Sequence, residues 1–245
     1  MAKFSWTGAW LPVIHRLPAP PAGQKAVALT IDDGPTEVTP QLLDILARAG
    51  AQAAFFLSGA RLAPRPEAVD AILAGGHQVY AHGFEHVRLD GFGRVRLHAD
   101  MTACETMLAR FRPTPSPYLV RLPYAAGRRL PHVHSAIRAW RRDAQIAHWS
   151  LSAEDHTIAG RCTGIADVDR ICDETVARMM ASPHLNGSVI LLHDIPHDVD
   201  SPFLAPATVT LLRKLIEALV AGGYALVPLR PLPSPTLLSR FVLEK

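Results

Sequence analysis

Residues 26–35 read AVALTIDDGP, an apolar run that ends in two neighbouring carboxylates, Asp32 and Asp33, and a Gly-Pro turn. A short run of apolar and β-branched residues that stops at turn residues predicts a buried strand rather than a helix. Like charges at the end of a buried strand repel each other, so the pair favours a compensating metal ion or arginine nearby. The alternative is an ordinary Asx turn, since Asp-Gly-Pro is common turn chemistry.

The rest of the chain alternates strand-like apolar runs with helical patterns. Further strands are predicted at residues 53–57, 78–81, 118–120, 144–149, 188–192 and 224–227, and helices at residues 39–49, 66–74, 94–111, 133–141, 165–180 and 208–220. Such alternation predicts an α/β fold with a parallel sheet and right-handed crossovers. Asp32-Asp33, His82, Arg121 and His193 each follow a predicted strand, which favours a barrel of about seven parallel strands with these side chains on its carboxyl-terminal rim.

Composition and charge indicate a globular protein. Of the 245 residues, 49% are hydrophobic and 19% are charged, which argues against disorder, and the length fits one barrel or two small domains. The net charge of +3 is mild, and the short clusters Arg128-Arg129 and Arg141-Arg142 are expected to be solvated faces. Nucleic acid is therefore not expected as a partner.

Targeting signals are lacking in the sequence. Residues 1–21 contain no apolar core followed by a cleavage site, and no stretch of about eighteen apolar residues occurs. The three cysteines form no Cys-x-x-Cys pair, which favours a reducing compartment. We expect a cytoplasmic protein with no transmembrane segment, although an exported protein whose leader had been removed would look the same. The expected organisation is an N-terminal extension at 1–25, a catalytic barrel at 26–228 and a C-terminal tail at 229–245.

A second group of polar residues, HGFEH at residues 82–86, carries histidines at both ends. Histidines at i and i+4 can present both imidazoles to one ion if the segment makes a helical turn. Two imidazoles and a carboxylate are a common ligand set for catalytic zinc, and Asp33 is available to complete it. The alternative is that His82 and His86 are ordinary core or surface histidines, since the chain has 12.

Four motifs in this order resemble those of the polysaccharide deacetylase family: TIDDGP at 30–35, HGFEH at 82–86, RLPY at 121–124 and LLHD at 191–194. The likeness extends from about residue 26 to residue 228. The family comprises metal-dependent carbohydrate esterases, including chitooligosaccharide, chitin and peptidoglycan N-deacetylases. The resemblance implies a distorted (β/α) barrel.

The resemblance also implies a metal site and a general base. Asp33, His82 and His86 resemble the ligands of one divalent metal ion, expected to be Zn²⁺ ahead of Co²⁺, Mn²⁺ or Fe²⁺. Asp32 resembles the general base that takes a proton from water. Arg121 resembles the residue that pairs with the base and orients it, whereas a surface salt bridge is the alternative for this arginine.

A general acid and an oxyanion donor follow from the same resemblance. His193 resembles the general acid, with a core histidine at the end of a strand as the alternative, and Tyr124 stands where the family uses a backbone N–H to hold the oxyanion. The motif that orients the acid is half present, because residues 152–156 keep Asp155 but have Ser152 and His156 at the outer places. Asp155 is expected to hold the ring of His193 and to raise its pKa.

Departures from the family pattern bear on the substrate. Gly83 stands where relatives carry Ser or Thr, and His156 where they carry Trp, so a hydroxyl at the metal edge and an aromatic wall are expected to be missing. Together with the lack of an export signal, this favours an amino sugar inside the cell, either a short oligosaccharide or a lipid-linked intermediate. Ile195, Phe203 and Leu204 are expected either to border such a lipid or to pack as ordinary loop residues.

We therefore expect a metal-dependent N-deacetylase, a hydrolase of carbon–nitrogen bonds other than peptide bonds, that acts on an N-acetylated amino sugar. If the sugar is lipid-linked, we expect peripheral contact with the inner membrane. The alternatives are a deacetylase of extracellular chitin or peptidoglycan, an amidohydrolase of a small N-acyl metabolite, and a non-catalytic barrel that binds carbohydrate or lipid. The sequence contains no Ser-His-Asp elbow, Walker loop or dinucleotide fingerprint.

Overall fold

The structure, a computed structural model, describes residues 10–19 and 21–233. Strands and helices alternate along most of this length. The strands β1 to β9 are Val13–Ile14, Lys25–Asp32, Ala53–Leu57, Gln78–Ala81, Leu119–Val120, Gln145–Ala147, Leu151–Ser152, Val189–His193 and Tyr224–Leu226. The helices α1 to α7 are Thr39–Arg48, Gly59–Leu62, Glu67–Ala74, Arg94–Leu108, Pro131–Trp140, Ile165–Met180 and Leu204–Ala221.

Parallel pairing joins the strands into two sheets. One sheet has the order β4-β3-β2-β8-β7, with β9 paired to the first residues of β2, and the other has the order β1-β6-β5. The edges β4 and β5 are bridged by Tyr118, whose hydroxyl accepts the Ala81 N–H at 3.0 Å. Strands β2 to β8 supply the seven positions of a distorted barrel, and within the described ranges their pairing does not close into a complete ring.

The centre of the fold is β2, which is buried from Val27 to Asp32 because β3 and β8 pair with it on either side. β3 is buried along its whole length. A strand that is covered on both faces has apolar residues at nearly every position. It therefore forms a continuous apolar run in the sequence and can be recognised there. The register pairs Asp32 with Phe56 on one side and with His193 on the other, so the polar residues at these strand ends share one edge.

The parallel α/β fold expected from the sequence is confirmed. All the predicted strands and helices are present, with strand ends that differ by at most two residues. The sequence did not predict β1, β7 and α2, because segments of two to four residues are too short to show a period.

Both ends of the described chain pack against the barrel. β1 lies within the expected N-terminal extension and pairs with β6. Near the other end, the Leu232 N–H donates to Gln145 Oε1 at 2.8 Å, and Gln145 Nε2 donates back to the Leu232 carbonyl at 2.8 Å. The remainder of the expected tail, residues 234–245, lies outside the described residues. Among the described helices, none combines the length and apolar character needed to cross a membrane.

Candidate active site

A pocket of about 360 Å³ opens at the carboxyl-terminal ends of the parallel strands. Its wall contains six of the residues singled out in the sequence: Asp32, Asp33, His82, His86, Tyr124 and His193. The other two, Arg121 and Asp155, are buried directly behind this wall and contact Asp32 and His193. The structure therefore brings all eight predicted site residues together.

Asp33, His82 and His86 form a tight group in this pocket. Their ligand atoms lie within 4.8 Å of one another, with Asp33 Oδ1 at 3.5 Å from His82 Nε2 and at 3.0 Å from His86 Nε2. His82 Nδ1 lies 2.8 Å from the Arg121 carbonyl oxygen, which can only accept, so Nδ1 carries the proton. The lone pair of His82 is therefore on Nε2, the nitrogen that faces Asp33.

The donor set fits a divalent metal ion. Asp33 Oδ1 is buried, and its neighbours among the described residues are the Nε2 atoms of His86 and His82, neither of which makes a hydrogen bond of good geometry with it. Such a position is costly for a carboxylate oxygen. Burial alone would raise the pKa of Asp33, but the surrounding imidazoles, His86 foremost, hold it well below its usual range, so the carboxyl is ionised. One carboxylate and two imidazole nitrogens that converge in a buried site are typical zinc ligands.

The HGFEH segment brings its two histidines together without the helical turn that the i, i+4 spacing was expected to need. Gly83 and His86 have φ values of +81° and +51°, which makes the segment an irregular loop. Asp100 on α4 fixes the loop, because its carboxylate accepts the N–H of Phe84 at 2.8 Å and that of Glu85 at 3.3 Å. A Cβ at residue 83 would lie 2.8 Å from Asp100 Oδ2, so both the φ value and the space favour glycine.

A third imidazole, which the sequence analysis missed, lies against the metal-ligand group. The ring of His197 stacks on that of His86, with 4.1 Å between centroids and 9° between planes. The backbone N–H of His197 also donates to Asp33 Oδ2 at 3.2 Å. Arg61 fixes this part of the chain by donating to the carbonyls of Asp33, Ile195 and Pro196. No spacing motif marks His197, so only the fold reveals this contact.

Asp32 is held by a buried guanidinium. Arg121 Nη1 donates to Asp32 Oδ1 at 2.6 Å and to Thr30 Oγ1 at 2.8 Å, and Nε donates to the Ala147 carbonyl at 3.0 Å. Arg121 is only 1% exposed, which excludes the surface salt bridge considered as its alternative. A charge-assisted bond inside the protein fixes the carboxylate and compensates its charge. Asp32 Oδ2 lies on the side of the metal-ligand group, 3.8 Å from His82 Nε2.

His193 is held by Asp155 through two hydrogen bonds. Nδ1 lies 2.8 Å from Asp155 Oδ1, and the His193 N–H donates to Oδ2 at 2.6 Å. Burial alone would lower the pKa of His193, but the charge and hydrogen bond of Asp155 outweigh it and raise the pKa to about 10. The ring is therefore protonated at neutral pH, with Nε2 as the nitrogen left for the pocket.

Aromatic residues line the mouth of the pocket. Tyr124 is 44% exposed with φ +59°, and its hydroxyl donates to Asp198 Oδ2 at 2.6 Å, which links the loops after β5 and β8. Trp149, from the segment after β6, lines the same pocket and lies 5.5 Å from the Arg121 guanidinium. The expectation that the groove lacks an aromatic wall is therefore wrong: His156 stands exposed where relatives carry Trp, and Trp149 supplies an indole from another segment.

The apolar residues that follow His193 do not border the pocket. Ile195 and Phe203 pack against the hydrophobic core, and Leu204 is buried in the first turn of α7. None of the three is among the pocket-lining residues of the described chain. Of the two alternatives given for these residues, the structure supports ordinary packing.

Comparisons with known proteins bear on this site. The sequence profile of the polysaccharide deacetylase family matches residues 19–138. A chitooligosaccharide deacetylase of Sinorhizobium fredii is 31% identical over 222 residues, covering 87% of this chain and 94% of that protein. A peptidoglycan-N-acetylglucosamine deacetylase of Bacillus cereus is 26% identical over 210 residues, covering 84% and 87%. The solved structure of the peptidoglycan deacetylase PdaC from Bacillus subtilis matches with a TM-score of 0.65 and 27% identity, covering 84% of this chain and 88% of that one.

Proposed function

The chain belongs to the polysaccharide deacetylase family, and from this premise we propose that it is a metal-dependent hydrolase that removes the N-acetyl group from an N-acetylated amino sugar. The observation that carries the proposal is one pocket in which the Asp33, His82 and His86 group lies with Asp32 and His193. Amide hydrolysis needs a proton acceptor for the attacking water, stabilisation of the oxyanion and a proton for the departing amine.

We assign Asp33, His82 and His86 as the ligands of one divalent ion. Such an ion, when bound, lowers the pKa of water and polarises the acetyl carbonyl. Nitrogen donors with one carboxylate oxygen favour Zn²⁺, with Co²⁺, Mn²⁺ and Fe²⁺ as the alternatives. The buried Asp33 Oδ1, which faces the two imidazole nitrogens without a hydrogen bond of good geometry, supports the assignment.

The two proton transfers fall to Asp32 and His193. The 2.6 Å bond from Arg121 ties up Asp32 Oδ1 and leaves Oδ2 to take a proton from the attacking water. Asp155 holds His193 Nδ1–H, so Nε2–H is the group that protonates the leaving nitrogen. The backbone N–H of Tyr124 is assigned to the oxyanion, supported by the position of Tyr124 in the pocket wall.

The proposed substrate is a short oligosaccharide or a lipid-linked amino sugar in the cytoplasm. A pocket of about 360 Å³ is suited to a single N-acetylhexosamine unit, and Trp149 offers a flat apolar face for the sugar ring. The chitooligosaccharide and peptidoglycan deacetylases among the relatives support the amino-sugar part of this proposal.

The test is acetate release from substrates offered in parallel to the zinc-loaded protein, with Asp32→Asn as the inactive control. The substrates are N-acetylglucosamine oligomers, insoluble chitin or peptidoglycan, and a polyprenyl-phosphate-linked N-acetylhexosamine. We expect turnover of the oligomers or of the lipid-linked sugar. Efficient turnover of the insoluble polymers alone overturns the cytoplasmic substrate and leaves deacetylation intact. Acetate release from none of them, with binding retained, indicates a non-catalytic barrel, and release only from simple N-acyl compounds indicates a small-molecule amidohydrolase.

A further inference from the structure

Four basic side chains lie together beside the pocket: His15, Arg128, Arg129 and His148, here called the basic rim. His15 and His148 come directly after β1 and β6. These two strands pair in parallel, and their last residues, Ile14 and Ala147, are partners. The His148 N–H continues this register by donating to the Ile14 carbonyl at 2.7 Å. The two histidines therefore leave the sheet side by side at its carboxyl-terminal end, the end at which the pocket opens.

Arg128 and Arg129 reach the same place from the loop between the RLPY motif and α5. Arg128 and His148 line one small internal cavity. The loop is fixed, because the Arg128 carbonyl accepts a hydrogen bond from His134 Nε2 at 2.6 Å. Arg128 is half-buried and Arg129 is exposed, so both residues of this loop are accessible to solvent.

The basic rim adjoins the active-site wall. The ring of His148 lies 4.2 Å from that of Trp149, which lines the pocket. Ala125 lines both the pocket and the cavity that Arg128 shares with His148. A sugar stacked on Trp149 would therefore have its substituents within reach of the basic rim.

The positive charge of the basic rim is carried by Arg128 and Arg129, since His148 is neutral at neutral pH, and this charge is uncompensated. Burial lowers the pKa of His148 to about 3, helped by the positive charges of Arg128, Arg121, His15 and Arg129. Several other exposed arginines are paired, as in Arg161–Glu174, Arg170–Asp167 and Arg213–Glu217. In the part of the chain that the structure describes, no carboxylate pairs with Arg128 or Arg129. Like charges held together without a counter-charge are unfavourable, and a bound anion relieves the repulsion.

We propose that the basic rim binds a phosphate group carried by the amino-sugar substrate, so that the enzyme acts on a phosphate-bearing N-acetylhexosamine. This inference rests on the proposed function. Guanidinium groups favour phosphate over a single carboxylate, because each offers a planar fork of donors, and the two charges of the neighbouring residues Arg128 and Arg129 match a dianion. The interpretation of Arg128-Arg129 as a plain solvated face is replaced by this one. A lipid-linked sugar and a soluble sugar phosphate present the same chemistry to the rim.

The kinetic test compares the wild type with the double variant Arg128→Gln/Arg129→Gln. The substrates are N-acetylglucosamine 1-phosphate, a prenyl-diphosphate-linked N-acetylglucosamine and the neutral disaccharide of N-acetylglucosamine. We expect the ratio of kcat/KM for each phosphate-bearing substrate to that for the neutral one to fall by about 10- to 100-fold in the variant. The matched control, Arg110→Gln/Arg142→Gln, removes the same charge from exposed positions after α4 and before β6, at the opposite end of the barrel, and should leave the ratio unchanged.

A binding measurement separates this inference from the proposed function. Isothermal titration calorimetry with inorganic phosphate and with N-acetylglucosamine 1-phosphate needs no turnover, and we expect both affinities to fall in the rim variant and with added salt. If no substrate releases acetate but binding depends on the rim, the proposed function fails and the rim assignment stands. The rim assignment is overturned if the neutral disaccharide is turned over and the rim substitutions change neither the phosphate affinities nor the kcat/KM ratio. Whichever of the two phosphate-bearing substrates, prenyl-linked or soluble, is turned over faster is identified as the better model of the natural substrate.

Discussion

Asp32 and His193 are paired residues on the adjacent parallel strands β2 and β8. The Asp194 N–H continues this pairing by donating to the Asp32 carbonyl at 2.9 Å. The proposed base and the proposed acid are therefore separated by one strand spacing that the sheet itself fixes. Conservative substitutions at either residue should change proton transfer and leave this backbone frame in place.

Removal of the metal should abolish activity. Dialysis against a chelator is expected to leave folded but inactive protein, and one equivalent of Zn²⁺ or Co²⁺ should restore turnover. His86→Ala should lose the bound metal when metal content is measured by mass spectrometry. His184→Ala, which removes an exposed histidine outside the pocket, is the matched control and should retain it. Activity that survives complete metal removal would contradict the assignment.

Replacement of the proposed base should separate chemistry from metal binding. Asp32→Asn keeps the size of the side chain and should retain about one equivalent of metal, while kcat falls by ~10² to 10⁴-fold, the usual worth of general-base catalysis. Asp33→Asn should lose the metal. If Asp32→Asn loses metal together with activity, the roles of the two neighbouring aspartates have been exchanged.

The sequence was sufficient to predict the buried strands and the residues at their ends. Strands covered on both faces are continuous apolar runs, and the change to Asp, His or Arg at their ends is visible without a structure. The contact of Asp155 with His193 was also predictable, although its motif is half preserved. The contact survives because it needs only the Asp155 carboxylate, which bonds both Nδ1 and the backbone N–H of His193.

Features that depend on distant segments were not predictable. The HGFEH loop is shaped by Asp100, a residue on the following helix, so the i, i+4 spacing by itself suggested a helical turn that is absent. The indole in the pocket comes from Trp149, outside any motif that the sequence analysis used. The contact of His197 with His86 likewise depends on how the loop after β8 folds back over the proposed metal ligands.

The pH dependence of kcat should reflect the pKa of His193, which Asp155 raises. The acid must be protonated to act, and because its pKa is raised to about 10, it stays protonated through neutral pH and loses its proton as the pH rises through that value. Asp155→Asn removes the charge that raises the pKa, so the alkaline limb of the kcat profile should move to lower pH. His193→Ala should lower kcat more than it raises KM. An alkaline limb that does not move in Asp155→Asn would remove Asp155 from this role.

The stack of His197 on His86 should strengthen metal binding. Residues that orient metal ligands are typically worth 10- to 100-fold in metal affinity, so His197→Ala is expected to weaken the Zn²⁺ Kd by about 10-fold in a competition titration with a chromophoric chelator. His197→Phe keeps a flat ring against His86 and should recover most of the loss. Equal affinities for wild type, Ala and Phe variants would show that the stack does not position His86.

Gly83 should be required for the shape of the metal-binding loop. Gly83→Ala forces a side chain into φ +81° and places its Cβ 2.8 Å from Asp100 Oδ2. The left-handed conformation alone costs roughly 1–2 kcal/mol for a residue with a Cβ. Displacement of the Asp100 carboxylate would also weaken its bonds to the N–H groups of Phe84 and Glu85. We expect a lower melting temperature and weaker Zn²⁺ binding together, because the loop carries His82 at one end and His86 at the other.

The matched control for this substitution is Gly160→Ala. A Cβ at Gly160 meets open space, and its φ lies outside the left-handed region, so stability should change by no more than about 0.5 kcal/mol. Gly83→Ser extends the test, because relatives carry Ser or Thr at this place. Since the serine Cβ meets the same carboxylate and the same φ, we expect the variant to bind zinc more weakly than the wild type. A Gly83→Ser variant with wild-type melting temperature and zinc affinity would show that the loop can relax around a side chain and that glycine is not required there.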